Sequence, residues 1–244
     1  SVREPLDESS VMAAIESLRR EGVESAAVCL LHAYRNSQHE RRIAELLAQE
    51  LPGVSVSLSS EVCPEIREFE RTGTVAANAY VMPLAESYLR RLDTGLKSEG
   101  FRGRLSVMNS WGGVMAVETA VALPIWLMES GPAAGVAAAA AATAGLGLDR
   151  LLSFDMGGTT AKASLIKDGA IETTSEYEVG GGGNVNRWIH GTGHPIRVPV
   201  IDLAEVSAGG GSIAWVDPGG SMRVGPKSAG AEPGPVCYGN GGTE

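Results

Sequence analysis

The sequence predicts an α/β protein built as two lobes of mixed sheet with flanking helices, and three observations carry that expectation. Between residues 7 and 58 helical and strand-like segments alternate, the order that builds a βαβ unit with parallel strands. From residue 150 onward the pattern changes to short strands separated by Gly, Asp and Pro turns. The chain has 244 residues, 43% of them hydrophobic, so it can bury a substantial core and is not a disordered segment.

The elements follow in order. In residues 7–20, Val11, Ile15 and Leu18 recur on one helical face, Asp7 or Ser9 is placed to cap the first amides, and Gly22 ends the helix. Ser25–Leu31 is a continuous apolar run, which predicts a strand buried on both faces. His39–Glu50 predicts a helix with Ile43, Leu46 and Leu47 inward, stopped by Pro52-Gly53, and Val54–Leu58 alternates as the next strand. Pro64–Leu96 has helical periodicity interrupted at Pro83, and Leu105–Met108 predicts a strand entering the Asn109–Gly113 turn. Pro132–Gly145 is a helix of small residues, with Pro132 in its first turn where a missing N–H costs little. Leu151–Phe154 and Thr160–Lys167 predict strands, and Asp168-Gly169 predicts a tight hairpin. Ile196–Asp202, Ile213–Val216 and Ser221–Val224 predict further strands, and from Pro226 glycine and proline predict loop. The expected division puts residues 1–126 in the first lobe and 127–244 in the second.

Charge and cysteine usage narrow the function. With 20 Lys+Arg against 29 Asp+Glu, the net charge of −9 opposes both nucleic acid and anionic membrane surfaces, so neither is an expected partner. Cys29, Cys63 and Cys237 lie far apart without CxxC spacing, which argues against a disulfide scaffold or zinc cluster and fits a reducing cytoplasm. No basic-then-apolar leader opens the sequence. The most apolar stretch, Gly131–Leu148, is Ala/Gly-rich and lacks the ~20 strongly apolar residues of a membrane span. The expectation is a soluble, cytoplasmic protein. A start at Ser1 and an end in Gly-Gly-Thr-Glu also suggest an internal piece of a longer polypeptide.

The sharpest local feature is Phe154-Asp155-Met156-Gly157-Gly158-Thr159-Thr160-Ala161-Lys162. A strand delivers a carboxylate, two glycines and two hydroxyls follow, and a second strand returns. Glycines let backbone N–H groups approach an anion without a Cβ in the way. The hydroxyls of Thr159 and Thr160 can donate to phosphate oxygens, and Asp155 can hold a hydrated Mg²⁺ that bridges them. Charge-assisted hydrogen bonds contribute about 1.5–3 kcal/mol each, so a handful make a phosphate site. Neither the Walker pattern nor GxGxxG occurs, and no long helix follows these glycines. A strand–turn–strand phosphate loop points instead to the actin, Hsp70 and sugar-kinase class of ATPases. The same residues also suit an ordinary tight hairpin that uses Gly-Gly for geometry alone.

Other features leave alternatives open. Gly209-Gly210-Gly211-Ser212 can bring backbone amides to a nucleotide or can be a glycine bend. Lys162 can pair with a phosphate or be a plain strand lysine, and Gly180–Gly183 reads as a loop. Asp202 and Glu205 flank the glycine run as metal-proximal or solvated strand-end acids. His190 and His194 lie in a Gly/Pro loop rather than on a helix, which weakens a metal reading, and His32 and His39 are expected in structural hydrogen bonds. Glu61, Glu65, Arg67, Glu68, Glu70 and Arg71 form a mixed charge run, expected as a solvated helical face. Cys63 has no base nearby in sequence and is assigned no nucleophilic role.

Ordered motifs along the whole chain sharpen this. Leu31-His32-Ala33-Tyr34-Arg35-Asn36 with His39-Glu40, Leu58–Val62, Arg67–Arg71, Asn78-Ala79-Tyr80 and Glu129–Gly135 are followed by Asp155–Thr160, Gly209–Trp215 and Gly225 through Tyr238. With these the sequence resembles the hydantoinase A / 5-oxoprolinase family, which includes N-methylhydantoinases and the matching subunits of acetone and acetophenone carboxylases. The resemblance implies part of an actin-like ATPase (ribonuclease H-like) fold. It also implies ATP- and Mg²⁺-dependent activation of a cyclic amide carbonyl for ring opening, with a B-type hydantoinase subunit as partner. Alternatives are a ketone carboxylase subunit, or a piece that is non-catalytic in isolation; a sugar kinase fits the motif order less well. The implied site has Asp155 as catalytic residue and metal ligand, with Gly157, Gly158, Thr159, Thr160, Lys162, Gly209, Gly210, Gly211 and Ser212 on the nucleotide. Family members carry a further Asp-x-Gly-Gly-Thr hairpin near their start, which would make Asp155–Thr160 the second phosphate loop. Trp111 stands where the family often has a small polar residue, so the substrate is not inferred from that position.

Overall fold

The computed structural model describes residues 2, 4–179 and 193–243; the expected loop Gly180–Gly183 and His190 lie outside the described residues. The chain forms two compact units. The first comprises Ser1–Ser130 with Ser175–Val179 and His194–Val200; the second includes Gly131–Thr174 and the residues from Ile201 onward.

In the first unit α1 (Glu8–Glu21) starts on Asp7, whose carboxylate accepts from the amides of Ser9 and Ser10 at 3.0 and 3.3 Å. It ends on Gly22 in the left-handed conformation, the expected stop. Then come β1 (Ser25–Val28), α2 (Gln38–Glu50) and β2 (Ser55–Leu58). β1 and β2 are parallel, with Ser25 opposite Ser55 and Val28 opposite Leu58, so the βαβ unit forms as the alternation predicts. Ile15, Val28, Leu46, Leu47 and Leu58 close the core between them. β1 is shorter than the apolar run, and Ala27, which points to the face opposite Ala26 and Val28, is exposed, so burial on both faces does not hold. After α3 (Ser59–Val62), α4 (Glu68–Ser98) runs straight through Pro83 instead of breaking there. Val75, Ala79, Met82 and Leu89 are buried along it, and that apolar area offsets the one hydrogen bond a proline removes. β3 (Ser106–Met108) and β4 (Val114–Ala116) pair antiparallel ahead of α5 (Val117–Ala122).

A buried charged knot sits at the carboxyl end of β1. Glu40, wholly buried, accepts from Leu30 N at 2.8 Å, Ser59 Oγ at 2.6 Å and Ser60 N at 2.8 Å. Arg71, also wholly buried, donates to Leu30 O at 2.8 Å and Glu65 O at 3.0 Å, and its guanidinium lies 5.6 Å from the centre of the Tyr34 ring. The expectation that Arg71 belongs to a solvated face is therefore overturned. Backbone carbonyls of residues 30 and 65 replace water around its guanidinium, which a local charge pattern does not reveal.

The second unit opens with α6 (Ser130–Thr143), followed by β5 (Arg150–Met156), β6 (Ala161–Lys167) and β7 (Ala170–Ile171). Asp168 and Gly169 take φ of 51° and 73°, as the predicted tight turn requires. Next are β8 (Thr173–Thr174), β9 (Tyr177–Val179), β10 (His194–Ile196), β11 (Val200–Ile201) and β12 (Ala204–Val206). β9 and β10 pair antiparallel within the first unit, where Ile196, Val198 and Val200 join Val62, Cys63 and Val75 in its core. The strand predicted over Ile196–Asp202 is thus split in two across Pro199, which has no N–H to give a ladder. In the second unit β12, β6 and β5 lie side by side, with β7 also on β6, all antiparallel. Ala133 and Val136 of α6 are buried with Leu151, Ile166 and Ile201 against one face of this sheet. β13 (Ser212–Val216) and β14 (Met222–Ser228) form the last hairpin, and β14 extends through Pro226, which an edge strand tolerates.

Candidate functional site

β5 and β6 meet in the turn Gly157–Thr160, with Met156 opposite Ala161 and Asp155 opposite Lys162. Gly157 N donates to Thr160 O at 3.0 Å and closes the turn. Gly157, Gly158 and Thr159 are exposed, as is Asp155, while Thr160 is half-buried. Among the described residues, the amides of Gly158, Thr159 and Thr160, both threonine hydroxyls and the Asp155 carboxylate have no hydrogen-bond partner.

The structure brings the second glycine run onto this turn. Gly210 N donates to Gly157 O at 3.0 Å and Gly211 N to Gly158 O at 2.8 Å. A peptide unit is planar and trans, so its C=O and N–H point in opposite directions. Tying back the carbonyls of Gly157 and Gly158 therefore turns the N–H groups of Gly158 and Thr159 away from the run. Glycine is required for this approach: a Cβ on Gly209 would lie 2.6–2.7 Å from Gly157 O, Gly158 C and Thr159 N. The remaining donors of the run are used internally, Gly209 N on Ser212 Oγ at 2.9 Å and Ser212 N on Gly209 O at 3.0 Å. All four amides of Gly209–Ser212 are thus engaged within the chain, and the run is a buttress behind the turn.

Lys162 stands in a row of charge across three strands, opposite Asp155 on β5 and Glu205 on β12, with Nζ 3.9 Å from Glu205 Oε1. Its side chain is only 14% exposed, so it is not a plain surface lysine. Asp155 and Lys162 are equally spaced from the turn, and that symmetry in the sequence could have placed those two opposite each other; Glu205 comes from the distant β12 and no local signal places it. Asp202 is fixed by its backbone, N to Glu172 O at 2.8 Å and O from Ser164 Oγ at 2.9 Å. His194 lies on β10 in the first unit, and His32 is exposed at φ 60°, edge-on to Tyr34. Among the described residues no three His, Cys, Asp or Glu side chains gather as a metal-binding group. Burial, with the Glu65 charge second, pushes the Cys63 thiol up to about 11, which disfavours a thiolate there.

Comparison with known proteins gives consistent matches. Residues 71–244 match the hydantoinase/oxoprolinase family model, and residues 1–51 match the hydantoinase/oxoprolinase N-terminal region. The caprolactamase subunit alpha of Pseudomonas jessenii is 36% identical over 98% of this chain and 33% of its own length. The 5-oxoprolinase of Saccharomyces cerevisiae is 35% identical over 97% of this chain and 17% of its own. Among solved structures, the ATP-dependent caprolactamase from Pseudomonas jessenii superposes with a TM-score of 0.78 at 35% identity, covering 100% of this chain and 34% of that one. A nucleotide-free acetone carboxylase, from work on ATP-dependent acetone carboxylation, gives 0.69 at 25% identity, covering 93% and 31%. The chain thus spans about a third or less of the length of these relatives, and its fold is part of the actin-like α/β fold that the hairpin motif predicts.

Proposed function

The chain belongs to the hydantoinase/oxoprolinase family, and on that premise we propose that its Asp155–Thr160 hairpin holds the phosphates of ATP while a cyclic amide carbonyl is activated for ring opening. The observation that carries this reading is the open turn: two amides directed outward by the glycine buttress, beside two unpartnered hydroxyls and a carboxylate. Gly158 and Thr159 present N–H groups to phosphate oxygens, and the hydroxyls of Thr159 and Thr160 add two donors. Gly157 and Gly209–Ser212 hold that geometry from behind, and Lys162 offsets the charge of Asp155 and Glu205. Asp155 fits a hydrated Mg²⁺, which usually takes one or two protein carboxylates and otherwise waters and phosphate oxygens. Phosphoryl transfer from ATP to the lactam oxygen, with ADP leaving, would make the carbonyl carbon electrophilic. Water would then add to that carbon, the ring C–N bond would break with the nitrogen leaving as amine, and hydrolysis of the resulting acyl phosphate would release phosphate and the carboxylate. The names of the relatives, a caprolactamase and a 5-oxoprolinase, support a lactam-like substrate.

A B-type partner subunit would complete the reaction, in keeping with a relative named as a subunit alpha. No helix among the described residues is long and apolar enough to cross a membrane, and the three cysteines are free, which together support a cytoplasmic setting. A second reading, ketone carboxylation, is favoured by the likeness to acetone carboxylase. Assay of the complete gene product with its partner separates them: ATP turnover stimulated by lactams or hydantoins supports ring opening, and stimulation only by ketones with bicarbonate supports carboxylation. In either case Asp155→Ala is expected to lower turnover by about 100-fold or more, the order lost when a group meeting transition-state charge is removed. Unchanged turnover would contradict its assigned role.

A further inference from the structure

We propose that Tyr238 is a further binding residue of this site, donating its phenolic hydroxyl to a phosphate oxygen of the ligand at the Gly158–Thr160 turn; the inference rests on the phosphate reading above. Tyr238 ends the short 3₁₀ turn Val236–Tyr238, and its amide donates to Pro235 O at 2.9 Å. The ring is seated on Gly234, where φ is 74° and a Cβ would lie 2.5 Å from the ring carbon Cδ2. From that seat the hydroxyl reaches both glycine motifs at once: a Cβ on Gly158 or on Gly210 would each lie 3.3 Å from it. Three glycines therefore leave room for one tyrosine, and any side chain at Gly158 or Gly210 would crowd its hydroxyl. The hydroxyl makes no hydrogen bond among the described residues, and the residue is 42% exposed. An O–H donor held by a fixed ring beside the outward amide of Gly158 extends the turn's set of donors to a third side-chain hydroxyl.

The test measures magnesium-ATP and magnesium-tripolyphosphate binding to the complete gene product, wild type and Tyr238→Phe, by titration calorimetry. Tyr238→Phe is expected to weaken both ligands about tenfold with no change in melting temperature, since the hydroxyl bonds nothing in the chain. Unchanged affinity overturns the proposal. So does a loss confined to ATP, which would move the contact off the phosphates, and so does a fall in melting temperature, which would make the hydroxyl part of the fold. Thr159→Val run alongside separates the layers of inference. If it loses both ligands while Tyr238→Phe keeps them, the turn reading stands and the role of Tyr238 falls; if neither variant changes binding, both fall.

Discussion

Glu40 and Arg71 in the first unit are wholly buried, whereas Asp155 and Thr159 of the second unit stand exposed. The difference goes further than exposure. Glu40 accepts three hydrogen bonds and Arg71 donates two, Glu40 holding Leu30 N and Arg71 holding Leu30 O. At the hairpin the same kinds of groups are left open, and the backbone carbonyls that could have used them are tied behind the turn. Both segments carry dense polar motifs in the sequence. One uses most of its polar groups to fix a loop, leaving Arg71 Nε and Ser60 Oγ buried without partners, and the other presents its open groups to solvent. Hydrogen-bonding capacity that a ligand can reach, rather than polarity, therefore distinguishes the proposed phosphate turn.

The largest expected effect tests the buried side of this contrast. Arg71→Met leaves the carbonyls of Leu30 and Glu65 without their buried donor and should cost about 2–4 kcal/mol of stability in urea or thermal unfolding, with MgATP affinity of the folded protein unchanged. Weakened nucleotide binding at unchanged stability would break the contrast. Next is the buttress: Gly209→Ala drives a Cβ into the backbone of the hairpin and should cost about 1–3 kcal/mol while weakening MgATP binding, because the displaced atoms are those that orient the turn. A stability loss without an affinity loss would detach the glycine run from the site.

The smallest effect concerns a half-buried group on a surface turn that is fully engaged. In the β13–β14 turn, Asp217 accepts from Ser221 N at 2.9 Å, Gly219 N at 3.0 Å and Arg223 Nε at 2.8 Å. The Ser221 amide first, then Arg223, hold its carboxyl below the ordinary value of 3.8. A carboxyl depressed in the folded state stabilises above its unfolded pKa, and that contribution is lost as pH falls through the folded value. Wild-type protein should therefore show a slight extra fall in melting temperature below pH ~4 that Asp217→Asn lacks. Parallel pH curves for the two proteins would contradict the assignment.

Much of this was legible in the chain. The βαβ alternation, the Asp168-Gly169 turn and the strand–turn–strand around Asp155 are local patterns, and local patterns survive folding where nothing long-range opposes them. What stayed hidden depends on distant partners. Arg71 reads as solvated until the carbonyl of Leu30, 41 residues away, reaches it. Pro83 reads as a break until the burial of Met82 and Leu89 holds the helix together. Gly209–Gly211 read as donors or, somewhat more readily, as a bend, and it takes the distant contact with Gly157 and Gly158 to show where their amides go.

Hydrogen exchange reads the turn itself, because the open amides of Gly158–Thr160 should acquire partners when phosphate arrives. In the complete gene product, saturating MgATP is predicted to slow exchange in peptides covering residues 156–161 and to leave those covering Leu30 and Ser60 unchanged. Equal exchange at residues 156–161 with and without nucleotide, under conditions where binding is independently measured, would contradict the account.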